Sequence, residues 1–197
     1  METAAVGFRV HSGWAAAVVL CGPSDAPVVV DRRKILLVKT FSYTFRQPYH
    51  TAEKIPRQDA TKFIRGVQSE AKRLALSALR SLQTDLVEGD FKIVRGALLL
   101  SSGRALPALE QILASHALIH TADGELFRDS LRAACARCDL PVQGIREKEL
   151  FATASKVLGI QAAILKRRIA EFGKSLGPPW SQDEKFAALA AWLTLAR

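Results

Sequence analysis

The chain has 197 residues, of which 49% are hydrophobic and 24% charged, and its formal net charge is +9 at pH 7. We predict a single α/β domain over residues 1–197, since this length and composition are those of one ordinary globular domain. The apolar runs at residues 13–22 and 96–100 are too short for a membrane span, which needs ~20 residues. Residues 1–5 lack the basic segment of a secretory signal. The sequence therefore predicts a cytoplasmic, bacterial-type protein with no membrane partner, and its charge favours polyanions.

The N-terminal quarter of the chain has the pattern of β-strands. Residues 6–20 form a run of apolar and small residues that is broken at His11-Ser12-Gly13. Residues 28–38 form a second β-rich run, and residues 41–45 alternate aromatic and polar side chains as a third strand would. These segments predict three antiparallel strands.

The pattern of the remaining chain predicts helices and two further strands. A helical period covers residues 58–88 and ends at Gly89-Asp90. The apolar run 91–100 predicts a buried central strand. The remaining predictions are helices at 106–115, 123–138, 147–158 and 161–174, and a short strand at 141–145. A last helix is marked by the capping box Ser181-Gln182-Asp183-Glu184, in which Asp183 and Glu184 are explained as capping acids.

Basic residues gather on one side of the helix predicted at 58–88. Its apolar face carries Phe63, Val67, Ala71, Leu74, Ala78 and Leu82. The other side carries Lys62, Arg65, Lys72, Arg73 and Arg80. Such residues neutralise phosphates when a protein binds nucleic acid. A solvated helix face, or a face that meets an acidic protein partner, remains the alternative. Aromatic residues Tyr43, Phe45 and Tyr49 flank Arg46, so base stacking beside a cation is a further prediction.

Two short motifs have a structural explanation that requires no redox or anion-binding role. Cys135 and Cys138 have the C-x-x-C spacing, but they fall at the end of a predicted helix, where the dipole does not stabilise a thiolate. Residues 101–104, Ser-Ser-Gly-Arg, could bind an anion, although they lack the lysine and the spacing of a P-loop. We interpret the first motif as two thiols at a helix end and the second as a turn.

The order of elements resembles that of the ribonuclease H-like superfamily, which includes the Holliday-junction resolvases. Residues 6–9 (Val-Gly-Phe-Arg) with 13–16 (Gly-Trp-Ala-Ala) resemble its first strand. Residues 140–150 are similar to a resolvase strand and the helix after it, and residues 182–190 resemble the closing D-x-x-D-A-L-A helix. The resemblance implies a mixed sheet of three antiparallel N-terminal strands followed by parallel strands, flanked by helices, with extra helices at the C-terminus.

The resemblance also implies phosphodiester hydrolysis with two Mg²⁺ ions, but the acids that would hold them are mostly missing. Arg9 stands where the first-strand aspartate belongs, and residues 91–100 contain no acid. In the closing helix Asp183 matches the first aspartate, whereas Phe186 replaces the second. We therefore predict a nucleic-acid-binding module that has lost two-metal nuclease chemistry and needs no cofactor.

Two alternatives remain open. One is a phosphodiester hydrolase or other hydrolase with a non-standard site, which alone would require Mg²⁺ or Mn²⁺. Its candidate residues are His11, His116, His120, Glu125 and Asp183, because histidines and carboxylates are the usual metal ligands and general bases. A helix N-cap at Thr121 or Asp123 would separate Glu125 from the face shared by the two histidines. The other alternative is a protein-interaction domain.

Overall fold

The computed structural model describes residues 1–101, 105–174 and 176–196, and these residues form a five-stranded mixed sheet of order β3-β2-β1-β4-β5. The strands are β1 (Glu2–His11), β2 (Trp14–Cys21), β3 (Val28–Leu36), β4 (Phe91–Leu100) and β5 (Val142–Arg146). Strands β1, β2 and β3 pair antiparallel, whereas β4 pairs parallel with β1 and β5. The mixed sheet predicted from the sequence is confirmed.

Helices cover both faces of the sheet. They are α1 (Tyr43–Arg46), α2 (Pro48–Ala52), α3 (Arg57–Glu88), α4 (Leu109–Leu113), α5 (His116–Arg137), α6 (Leu150–Leu158), α7 (Ala162–Glu171) and α8 (Gln182–Leu195). One hydrophobic core lies between the sheet and helices α3 and α5, and a second lies between the sheet and helices α6, α7 and α8. Within the described ranges no helix is long and apolar enough to cross a membrane.

Successive side chains of β1 point to opposite faces of the sheet. Phe8 and Val10 point into the core under α3 and α5. Gly7, Arg9 and His11 therefore point to the opposite face, towards α8. A two-residue turn at Ser12-Gly13, with Gly13 at φ +87°, leads directly into β2. This hairpin explains the break that the sequence shows at His11-Ser12-Gly13.

Three expectations for local structure are wrong. Residues 41–45 form no strand: residues 43–46 are helix α1, and Pro48 starts α2 immediately afterwards. A five-residue alternation is too short to distinguish a strand from a helical turn.

The other two corrections concern helices α5 and α3. Helix α5 begins at His116, so neither Thr121 nor Asp123 is an N-cap. The buried face of α3 is also rotated from the predicted one, because Phe63, Leu74 and Ala78 are only partly buried while Ile64, Ala75 and Leu79 are buried.

The capping box at the start of α8 is confirmed. The Ser181 side chain accepts a hydrogen bond from the Asp183 amide at 3.1 Å, and the Ser181 amide donates to Glu184 at 2.7 Å. Glu184 is therefore the capping acid, which leaves the Asp183 carboxylate free to turn towards β1.

Candidate functional site

Arg9 is the centre of an ion-pair cluster at the C-terminal end of β1. Its Nε and Nη2 atoms donate to the two carboxylate oxygens of Glu147, at 3.0 and 2.6 Å, and its Nη1 donates to Asp183 at 2.5 Å. His11 Nε2 lies 2.7 Å from the same oxygen of Asp183. Glu147 follows β5 directly, and Asp183 lies in the first turn of α8. We call these four residues the Arg9 cluster.

The Arg9 guanidinium is fixed in place and remains charged. Its side chain is only 14% exposed, and its guanidinium carbon lies over the Phe186 ring, 4.9 Å from the ring centroid. Burial lowers the pKa of Arg9, but the hydrogen bonds and charges of Glu147 and Asp183 outweigh burial and raise that pKa above its ordinary value. The cluster therefore contains a permanent cation.

The Arg9 cluster does not fit a pair of Mg²⁺ ions. Magnesium needs several oxygen ligands in octahedral geometry, and carboxylates are the usual protein donors. Here both carboxylate oxygens of Glu147 and Oδ1 of Asp183 already accept hydrogen bonds from Arg9, and β4 supplies no acid. A bound cation would also meet the positive charge of Arg9 at close range. The predicted loss of the first-strand ligand is thus accompanied by a side chain that neutralises the remaining acids.

Aromatic rings and cations form a continuous surface beside the Arg9 cluster. His11 stacks on Trp14 with 4.6 Å between ring centroids. Lys34 lies over both Trp14 and Phe41, at 4.5 and 5.2 Å from their centroids, and Arg46 lies 4.4 Å from that of Phe41. We call Trp14, Lys34, Phe41 and Arg46 the aromatic–cation surface. The sequence places stacking around Arg46, but the structure pairs Arg46 with Phe41 instead of Phe45 or Tyr49, both of which pack against the core.

His116 and His120 contact a third histidine, His50, which is not among the candidate residues predicted from the sequence. Because α5 is continuous, these two share one helix face, and their Nε2 atoms are 3.0 Å apart. His50, on α2, packs against both, with ring centroids 5.4 Å from His116 and 4.4 Å from His120. One nitrogen from each ring lies within 4.8 Å of the others. We call these three residues the histidine cluster.

Asp123 anchors the histidine cluster from inside the protein. Its carboxylate accepts hydrogen bonds from the Tyr49 amide at 2.7 Å and from His50 Nδ1 at 2.5 Å. Both His50 and Asp123 are buried. Burial raises the pKa of Asp123, and the two hydrogen bonds only partly oppose that rise.

Glu125 does not join His116 and His120, contrary to the sequence hypothesis. It is buried, pairs with Arg128 at 3.0 Å and accepts a hydrogen bond from Ser101 at 3.0 Å. In a continuous helix, positions 120 and 125 differ by five residues and lie on different faces. The five candidate residues thus fall into three groups: His11 with Asp183, His116 with His120, and Glu125 by itself.

An open depression connects the Arg9 cluster with the histidine cluster. Its lining includes His11 and Ser12 at the end of β1, Ser101 at the end of β4, and His120 and Arg128 on α5. This is the end of the sheet where the parallel strands β1 and β4 both finish, the usual place for ligands in such sheets. Residues 102–104, which belong to the segment 101–104 interpreted from the sequence as a turn, lie outside the described residues.

The predicted basic face of α3 is exposed along its length. Its exposed residues are Lys62, Arg65, Lys72, Arg73 and Arg80. Other basic residues are used internally: Arg33 pairs with Asp31 and Asp85, and Arg32 donates to backbone carbonyls of Leu176 and Gly177 at 3.1 and 2.8 Å.

The structure supports the interpretation of the C-x-x-C pair as helix-end thiols. Cys135 is buried, and Cys138 caps the C-terminus of α5. Burial raises the pKa of Cys135 to about 12, so its thiolate is scarcely populated at neutral pH.

Two residues of the Arg9 and histidine clusters, Glu147 and His50, are not among the sequence predictions, and neither are Trp14 and Phe41 of the aromatic–cation surface. Glu147 follows a predicted strand, and a carboxylate at the end of a parallel strand is a signal that could have been used. His50 lies in a turn-rich segment of 42–56, and only the packing of α2 against α5 brings it near His116.

No family model and no curated protein matches the chain. The structure of T. thermophilus RuvC in complex with a Holliday junction substrate is similar over 99% of this chain and 94% of that chain, with a TM-score of 0.54 and 11% identity. A further Thermus thermophilus RuvC structure matches over 98% and 93%, with a TM-score of 0.52 and 10% identity. At this identity the likeness shows the fold, which is the ribonuclease H-like fold that the sequence predicts.

Proposed function

We propose that this ribonuclease H-like domain binds nucleic acid and does not hydrolyse it by two-metal chemistry at the Arg9 cluster. The observation that carries the proposal is the aromatic–cation surface next to the end of β1. Aromatic rings stack with bases irrespective of sequence, and cations beside them attract the phosphate backbone.

The aromatic–cation surface is accessible and keeps its charge. The Phe41 side chain is 47% exposed and Lys34 is exposed. In the part of the chain that the structure describes, neither Lys34 nor Arg46 pairs with a carboxylate: Lys34 lies over two rings, and Arg46 lies over Phe41 and donates to the Ser12 carbonyl oxygen at 3.2 Å. A phosphate can therefore approach these two cations without displacing an acid. Such contacts release counterions and produce salt-dependent affinity.

The basic face of α3 supplies the second part of the proposal. Lys62 and Arg80 are separated by 18 residues, which corresponds to about 27 Å along a helix. This distance equals roughly eight nucleotides of one strand at about 3.4 Å per nucleotide. Helix α2, which follows Phe41 in the chain, packs against α3.

We expect two sets of substitutions to weaken binding in different ways. The variant K34A/F41A should lose about 10–100-fold in affinity for single strands and less for duplex, because one stacked base is worth about 1–3 kcal/mol. Changing the five α3 residues to glutamine should weaken all nucleic acids similarly and reduce the slope of log affinity against log salt by several units, about 0.9 per lost phosphate contact. Fluorescence anisotropy with single-stranded, duplex and four-way-junction oligonucleotides over a salt series measures both effects.

A control removes one exposed lysine from α6, which packs against the face of the sheet opposite α3. Lys156 lies on α6, and K156Q should leave affinity and salt slope within error of the wild type. Absence of binding at low salt would refute the proposal and favour an acidic protein partner. Cleavage of any oligonucleotide in Mg²⁺ or Mn²⁺ that survives substitution of the histidine cluster would show that the Arg9 cluster retains nuclease chemistry.

A further inference from the structure

We propose that His50, His116 and His120 bind one divalent transition-metal ion, with Zn²⁺ as the preferred occupant. The inference does not rest on nucleic-acid binding. Imidazole nitrogen is a common ligand of zinc, copper and nickel, and three histidines form one of the recurrent zinc sites. Magnesium, by contrast, prefers oxygen ligands, so this site is chemically distinct from the one that the fold family implies.

The spacing of the three rings is close to what zinc requires. Zinc–nitrogen bonds of about 2.0–2.1 Å in a tetrahedron place ligand atoms roughly 3.4 Å apart. The Nε2 atoms of His116 and His120 are 3.0 Å apart, and one nitrogen of each of the three rings lies within 4.8 Å of the others. Small rotations of the two exposed side chains on α5 would bring all three nitrogens to one ion.

Asp123 makes His50 suitable as a ligand. His50 Nδ1 donates to the Asp123 carboxylate, so the lone pair is left on Nε2, the other ring nitrogen. In zinc sites a ligand histidine commonly donates its other ring N–H to a carboxylate, and this second-shell carboxylate fixes the ring and increases its basicity. The arrangement is built from buried groups, because His50 and Asp123 are respectively 6% and 3% exposed.

The Nε2 atoms of His116 and His120 already face each other, so both rings present a nitrogen to the same region beside His50. Since His116 and His120 are exposed, the side facing solvent remains open for a water ligand, and His120 also lines the depression that reaches His11.

Zinc titration of the purified, chelator-treated full chain tests the site. We expect one Zn²⁺ per chain in competition with a chromophoric chelator, and Co²⁺ should give the visible d–d absorption of a four-coordinate site. H116A and H120A should each weaken Zn²⁺ binding by about 100-fold or more, since loss of a second-shell partner alone costs about 10–100-fold. Both residues are exposed, so these variants should fold, which circular dichroism verifies.

The matched control is H11Q. The chain contains four histidines, and His11 is the one outside the cluster, so H11Q removes a histidine and should leave zinc affinity unchanged. D123N should weaken zinc binding by about tenfold through the second shell. No binding by the wild type, binding that persists in both H116A and H120A, or an equal loss in H11Q would each overturn the assignment.

Discussion

Replacing Arg9 by alanine should lower the free energy of unfolding by about 2–4 kcal/mol. Removing one partner of a buried ion pair typically lowers the free energy of unfolding by about 3–5 kcal/mol. We expect a somewhat smaller loss here because Glu147 and Asp183 retain some contact with water. The variant leaves two carboxylates at the end of the sheet without their shared cation. Urea denaturation at neutral pH, with an unchanged m-value, measures the loss.

Two controls separate the charge effect from lost packing. R65A removes an exposed arginine on α3 and should change stability by no more than about 0.5 kcal/mol. The triple variant R9A/E147Q/D183N removes the uncompensated charges together and should be more stable than R9A. If R9A were as stable as R65A, the Arg9 cluster would not hold the site together. If the triple variant were no better than R9A, the loss would come from packing against Phe186.

Much of this fold could be predicted because its signals are local. The long helix α3 and the strand β4 have clear periodicity or an uninterrupted apolar run, and they lie within one residue of the predicted bounds. The capping box fixes the start of α8 for the same reason. The error at residues 41–45 arose where the pattern was too short to distinguish between a strand and a helical turn.

The candidate sites were less predictable because they depend on contacts between distant residues. The sequence shows Arg9 as a departure from the superfamily pattern. Its partner Glu147 is 138 residues away, and the two come together only because β1 and β5 belong to one sheet. His50 is separated from Asp123 by 73 residues. The sequence predicts an N-cap at Thr121 or Asp123 because Thr and Asp favour caps, yet α5 runs without a break from His116 to Arg137.

Replacing Gly7 by alanine should destabilise the protein by about 3 kcal/mol, because helix α8 rests directly on β1 at this residue. A Cβ atom at Gly7 would lie 1.9 Å from the carbonyl oxygen of Ala187 and 2.7 Å from the amide nitrogen of Ala191. These are backbone atoms of a buried helix, so no side-chain rotation can relieve the contact. Helix α8 would have to move away from β1, and Asp183 at its start would move away from Arg9.

Gly66 provides the matched control for G7A. It lies inside α3, and a Cβ atom there would meet nothing within 4 Å. G66A should therefore stabilise the protein by about 0.5–1 kcal/mol, since alanine loses less backbone freedom than glycine in a helix. Urea denaturation of the two variants should thus give changes of opposite sign. A neutral G7A would show that α8 can shift at little cost, and the position of Asp183 beside Arg9 would then not depend on the close contact at Gly7.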